Sequence, residues 1–187
     1  MLSREKALDM VREKVQEENL VRHSLATEAV MRSLARRLDQ DVETWGLTGL
    51  LHDLDYTLTQ EDYSRHGLES AQILQDQLPP EAVRAIEAHA AELNHAPAPS
   101  STLDYALRCA ETVTGLVMAA ALVRPEKLSG MKAKSLKKKM KDKAFAASVN
   151  RAIIAEHEKL GLDQNEFLSL SIQAMEEIAP DLGLGQS

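Results

Sequence analysis

Turn formers and aromatic rings are scarce in this chain of 187 residues, which has eight glycines, six prolines, one tryptophan, three tyrosines and two phenylalanines. Few breakers among many Ala, Leu, Glu and Lys predict long helices. So few rings argue against a stacking platform for single-stranded nucleic acid. The single cysteine, Cys109, excludes an intrachain disulfide and every multi-cysteine metal cluster. It fits a reducing, cytoplasmic setting. No apolar run reads as long enough to span a membrane, and MLSREKALDMVREK at the N-terminus lacks the apolar stretch of a signal peptide. Alternating β-branched runs are missing, as are P-loop and Rossmann glycine patterns, so a sheet-based nucleotide fold is not expected. A chain of this length makes one domain, and its core needs no disulfide or zinc to hold it.

Charge is uneven. The net charge is −7, yet residues 132–143 carry seven lysines against one acid, which leaves 15 basic and 28 acidic residues elsewhere. An acidic body repels phosphate backbones, so extended nucleic-acid binding is not expected. The lysine run itself reads either as a solvated helix face or as a local anion site.

Apolar spacing predicts an all-α architecture. Helices are expected over 3–17 with Ser3 as N-cap, over 20–38, and from an Asp41 cap to about 53. Residues 55–65 read as a loop. Further helices are expected over 66–77, from Pro79-Pro80 to about 93, over 102–122, over 142–159 and over 163–179.

Several polar side chains fall on the apolar faces of these helices. His23 shares a face with Thr27, Val30 and Leu34. His52 and Asp53 close the third helix, with Trp45 two turns before. His89 lies with Ala82, Ala85 and Ile86, and Glu111 lies between Leu107 and Gly115 on the most apolar helix. Each alone has a simple explanation: a hydrogen-bonded core histidine, a turn aspartate, a carboxylate paired with Arg36 or Arg108. Together, inward-facing imidazoles and carboxylates need a shared partner, and a cation is one.

The segments His23-Ser-Leu-Ala-Thr-Glu-Ala, Gly-Leu-Leu-His52-Asp53-Leu-Asp-Tyr, Arg-His66-Gly-Leu-Glu-Ser-Ala and Ala-Ile-Glu-Ala-His89 resemble the HD-domain metal-dependent phosphohydrolases, in the HDIG-type branch. The resemblance covers about residues 18–125 and implies a helical bundle with its metal between helices. Residues 126–180 or so would then be additional C-terminal helices of the same domain. The resemblance makes His23, His52 and Asp53 the first three metal ligands. The last ligand, an aspartate in the family, falls on Glu111, with Asp104 as the fallback; Asp104 also reads as a helix-start residue. His66 and His89 match positions that hold a second metal, or line the substrate pocket where one metal is bound. Asp55 and Tyr56 stand where the family has glycine and lysine, and neither position is a ligand in the pattern. His95 and His157 match nothing and are expected on the surface.

Imidazole with carboxylate suits one or two divalent transition ions, Mn, Fe, Zn, Co or Ni. The implied activity is hydrolysis of a small phosphate ester, a nucleotide above all, by metal-activated water. Asp53 would bridge two ions, and His66 or His89 would supply the leaving-group proton in a site with one. Lys134, Lys137 and Lys138 would meet substrate phosphate if the lysine run folds over the pocket. Two other readings stay open: a degenerate module that binds a phosphorylated ligand without turnover, and a di-iron oxygenase, which needs both His66 and His89.

Overall fold

A computed structural model describes residues 2–185. Its α-helices are α1 (Arg4–Val15), α2 (Glu18–Arg37), α3 (Val42–Leu51), α4 (Tyr56–Thr59), α5 (Leu68–Leu74), α6 (Pro80–His89), α7 (Ala91–Asn94), α8 (Thr102–Leu122), α9 (Ala133–Lys141), α10 (Arg151–Ala155) and α11 (Gln164–Glu177). Two short 3-10 helices, Tyr63–Arg65 and Glu156–Leu160, join them, and the described residues contain no strand. The architecture is all-α, as the spacing predicts.

Local chemistry sets the helix ends. Ser3 and Asp41 cap α1 and α3 through the backbone N–H groups of Lys6 and Thr44. Ser101 and Asp104 form a capping box at the start of α8, and the Arg84 guanidinium donates to the same Asp104 carboxylate. That commits Asp104 to the helix start and leaves it outside the histidine cluster. α8 is the central helix, packed by α2, α6, α10 and α11. By length and composition alone α8 is apolar enough to cross a bilayer, but 67% of that stretch is buried by the other helices. One apolar cluster runs from Ala7 and Val11 of α1 through Leu34, Leu50, Leu107 and Leu116 to Phe167 and Met175 of α11.

The closest helix pair is α2 and α3, and glycine permits it. A Cβ on Gly49 would lie 3.0 Å from the Thr27 carbonyl oxygen and 3.1 Å from the Glu28 nitrogen. This approach sets His52, three residues on, against α2. Trp45, the lone tryptophan, is buried on α3 two turns before His52.

Three expectations need correction. The 55–65 segment is a short helix and a 3-10 turn, because Asp53, Asp55 and Asp62 carbonyls and side chains close successive turns there. The helix expected over 142–159 is confined to α10 and the following 3-10 helix. The Arg151 guanidinium binds the carbonyls of Ala146 and Val149 at 2.6 Å each and also that of Phe145, holding residues before α10 in an irregular turn. His157 is buried: its Nδ1 lies 2.9 Å from the Leu162 carbonyl and its ring stacks on Phe167. His95 is exposed, as expected.

Candidate metal centre

Four helical segments bring four imidazoles to one carboxylate. Asp53 sits just past the end of α3. Its Oδ1 lies 3.3 Å from His52 Nε2, 3.4 Å from His66 Nε2 and 3.5 Å from His89 Nε2. Its Oδ2 lies 3.6 Å from His23 Nε2. His66 and His89 also meet Nε2 to Nε2 at 3.2 Å. Two groups with metal-ligand composition overlap at the aspartate: His23, His52 and Asp53, and Asp53, His66 and His89.

Each ring is held from behind by its other nitrogen. His52 Nδ1 lies 2.9 Å from the Gly49 carbonyl, and His89 Nδ1 lies 2.6 Å from that of Ile86. His66 Nδ1 lies 2.9 Å from Asp55 Oδ1. His23 Nδ1 lies 3.1 Å from the Thr114 hydroxyl, which spends its own proton on the Glu111 carbonyl at 2.6 Å. A hydroxyl used that way can only accept from His23. All four partners are therefore acceptors, so each Nδ1 carries a proton and the Nε2 atoms face the centre, where a bound cation would take the place of any Nε2 proton. Two of the acceptors are carbonyls three residues back, an arrangement that follows from a histidine at the end of a helix.

The fit to a metal can be judged from one atom. His52 Nε2 is buried and, among the described residues, has no hydrogen-bond partner. It meets Asp53 only as a close contact. A buried lone pair without a donor costs free energy, and a cation between the imidazoles and the carboxylate removes that cost. The donor set, neutral imidazole plus carboxylate, is that of a divalent transition ion.

Electrostatics mark the same place. Burial pushes the Asp53 carboxyl up, but His52, His66 and His89 outweigh it and hold the group well below its ordinary value. Burial likewise drives His23 down, to about 4, and lowers His89. For His66 burial is outweighed by hydrogen bonds to Asp53 and Asp55, which push it up to about 10. Burial raises Glu111 to about 7, against the Thr112 hydroxyl that donates to it.

The centre forms the floor of a cleft of about 490 Å³, walled by Leu20, Tyr56, Leu93, Asn150 and Ile153, with Glu111 and Glu92 at its sides. Glu111 thus faces the cleft but stands outside both ligand groups. It pairs with neither candidate arginine: Arg108 is taken by Glu92 and Glu156. Lys134, Lys137 and Lys138 do not line the cleft. Ala133 and Leu136 bury the apolar stripe of α9, which turns the lysines to the other side.

Asp55 is the functional residue that sequence reasoning passed over. Its carboxylate holds His66 and also accepts the backbone N–H groups of Gly67 and Ser70, at 2.8 and 2.9 Å. Those N–H groups, at the start of α5, are consequently not free to meet a phosphate. Gly67 has φ of 80°, and a Cβ there would lie 2.8 Å from the Ile86 carbonyl oxygen, so only glycine fits. Asn94 completes the hold on His66 by donating to its carbonyl at 2.7 Å. Arg108 donates to the His89 carbonyl at 2.9 Å. The sequence signal for Asp55 was its place in His-Asp-Leu-Asp, two residues after the bridging carboxylate.

The model of the HD domain family matches residues 20–144. The chain belongs to the HD-domain family, whose members are generally hydrolases that bind divalent metal ions. Comparison with curated proteins and with solved structures finds no significant match.

Proposed function

We propose that this HD domain is a metal-dependent phosphohydrolase acting on a small phosphate ester, with a nucleotide as the substrate class. The observation that carries the reading is the convergence of four imidazole Nε2 atoms on Asp53 at the floor of an open cleft. His23, His52 and Asp53 would hold one divalent transition ion, and Asp53, His66 and His89 a second. When bound, such ions supply a water nucleophile near neutral pH and offset phosphate charge.

The chain's own residues do the rest. Asp55, Thr114 and the Gly49 and Ile86 carbonyls fix the rings, so no reorientation is needed when substrate arrives. Leu20, Leu93 and Ile153 displace water from the cleft walls. Glu111, pushed up by burial in the metal-free chain, puts a carboxyl group at the side of the cleft. If only the His23 group is filled, His66 or His89 would be left to donate the leaving-group proton.

Elemental analysis beside His52→Ala and Asp53→Ala variants tests the reading, followed by a nucleotide and phosphomonoester screen with the metal found. Transition metal lost in both variants, with turnover lost in parallel, is the expected result. Metal without turnover on any phosphate ester leaves the ligand-binding module. Oxygen consumption by the iron-loaded, reduced protein moves the assignment to an oxygenase, a reading favoured only by the presence of both His66 and His89. Protein that takes up no Mn or Fe on reloading sinks all the metal readings.

A further inference from the structure

Lysines set the second site apart. Lys134, Lys137, Lys138 and Lys141 line a groove of about 410 Å³ between α9 and α11, with Asn165 opposite. It shares no lining residue with the histidine cleft. Three arginines elsewhere pair with carboxylates one turn away: Arg22 with Glu18, Arg32 with Glu28, Arg65 with Glu69. α9 contains no acid at all, and among the described residues no lysine forms an ion pair. Spacings of three and four residues put the four ammonium groups beside one another, an arrangement that weakens a helix. Two acids stand at the start of α11, and the charge of Asp163, its N-cap, is felt by Lys137. Asp163 accepts the N–H groups of Asn165 and Glu166, and Glu166 pairs with Arg37. Lys139 leaves the cluster to sit 4.2 Å over the Phe145 ring.

Four ammonium groups in a concavity of small-molecule size, with the Asp163 carboxylate near Lys137 too little to balance them, point to a compact polyanion. A long polyanion is disfavoured, because the rest of the chain, with 28 acids to 15 bases, repels it beyond the groove. We propose that the α9–α11 groove binds a linear oligophosphate group of a small molecule, at a site separate from the metal centre. This does not depend on the hydrolase reading. An oligophosphate can place successive oxyanions along one face of α9, whereas a single phosphate carries less charge and reaches less of the row.

The test is calorimetry of the metal-free full-length chain with inorganic tripolyphosphate, orthophosphate and a single-stranded oligonucleotide. A Lys134→Gln/Lys137→Gln/Lys138→Gln variant and an Asp53→Asn variant are titrated alongside. Tripolyphosphate should bind about tenfold or more tighter than orthophosphate, and lose about tenfold or more in the lysine variant. Asp53→Asn should leave its affinity unchanged, which separates failure here from failure of the metal centre. Removing the lysines should also raise the melting temperature of the free protein and abolish its rise with tripolyphosphate. Equal affinity in the lysine variant, loss in Asp53→Asn alone, or an oligonucleotide that outcompetes tripolyphosphate would each overturn the proposal.

Discussion

Asp55 carries more of the centre than its position in the motif suggests. Its carboxylate collects three donors, from His66, Gly67 and Ser70. Asp55→Asn keeps the shape but turns one acceptor into a donor facing a donor. Metal affinity at the His66 side should fall by about 10- to 100-fold, as titration with a competing chelator would show. Glu111 makes a pH prediction. Burial raises it from 4.5 to about 7, so between those values the folded metal-free chain keeps a proton that the unfolded chain has released. Stability then falls as pH rises through that window and levels off above it. Urea unfolding from pH 4.5 to 7 should show Glu111→Gln losing this part of the slope. An unchanged slope would mean that Glu111 is well solvated. His23, lowered from 6.5 to about 4, adds stability as pH rises over an overlapping range, which is why the comparison with the variant is required. His23, His52, Asp53 and His89 were legible because ligand types recur on apolar faces, and His66 through the family resemblance alone. Asp55 and Thr114 were not, since a residue that holds a ligand leaves no periodic signature.

At the scale of elements, the ligands stay aligned because α2 and α3 nearly touch. Gly49→Ala puts a Cβ 2.8 Å from the Met31 side chain and against α2 backbone. The methionine can move and the backbone cannot, so α3 must shift. Destabilisation of about 1–3 kcal/mol is expected in chemical denaturation, with weaker metal binding because His52 moves with α3. Unaltered metal affinity would show that the helices separate elsewhere. Helices with an apolar stripe and a cap were readable: α8 is expected over 102–122 and found over Thr102–Leu122. The 142–159 segment was misread because Arg151 gathers carbonyls from the preceding turn, a contact that periodicity cannot register. The lysines of α9 were placed over the wrong cavity for a related reason. The run was read as either a solvated helix face or an anion site, and the burial of Ala133 and Leu136 decides which way its helix faces.

Over the whole molecule, the family match ends at residue 144, before α10 and α11. Those helices nevertheless bury Phe167, Leu168, Ile172 and Met175 against α2 and α8. Glu156 also supplies one side of the clamp on Arg108, which in turn holds the His89 carbonyl. Each large apolar side chain so exposed costs about 1.5–3 kcal/mol, and a native domain has only about 5–15 kcal/mol to lose. A chain ended after residue 144 should therefore lose its cooperative thermal transition and bind a hydrophobic dye. A sharp melt by circular dichroism would show that the matched segment folds alone. The sequence suggested a helical extension in one domain, but could not say that the extension braces a ligand helix. That link passes through Arg108, which α8 buries and which the sequence offered only as a partner for Glu111.

The placement of Trp45 has a practical consequence. A single buried indole two turns before His52 gives the molecule one emitting group, about 10 Å along α3 from the first imidazole. Its light reports on that helix alone, with no dye or label attached. A paramagnetic ion such as Co entering the His23 group would dim it, and zinc would not. Stopped-flow fluorescence with the two ions can then follow metal entering the centre in the unmodified chain.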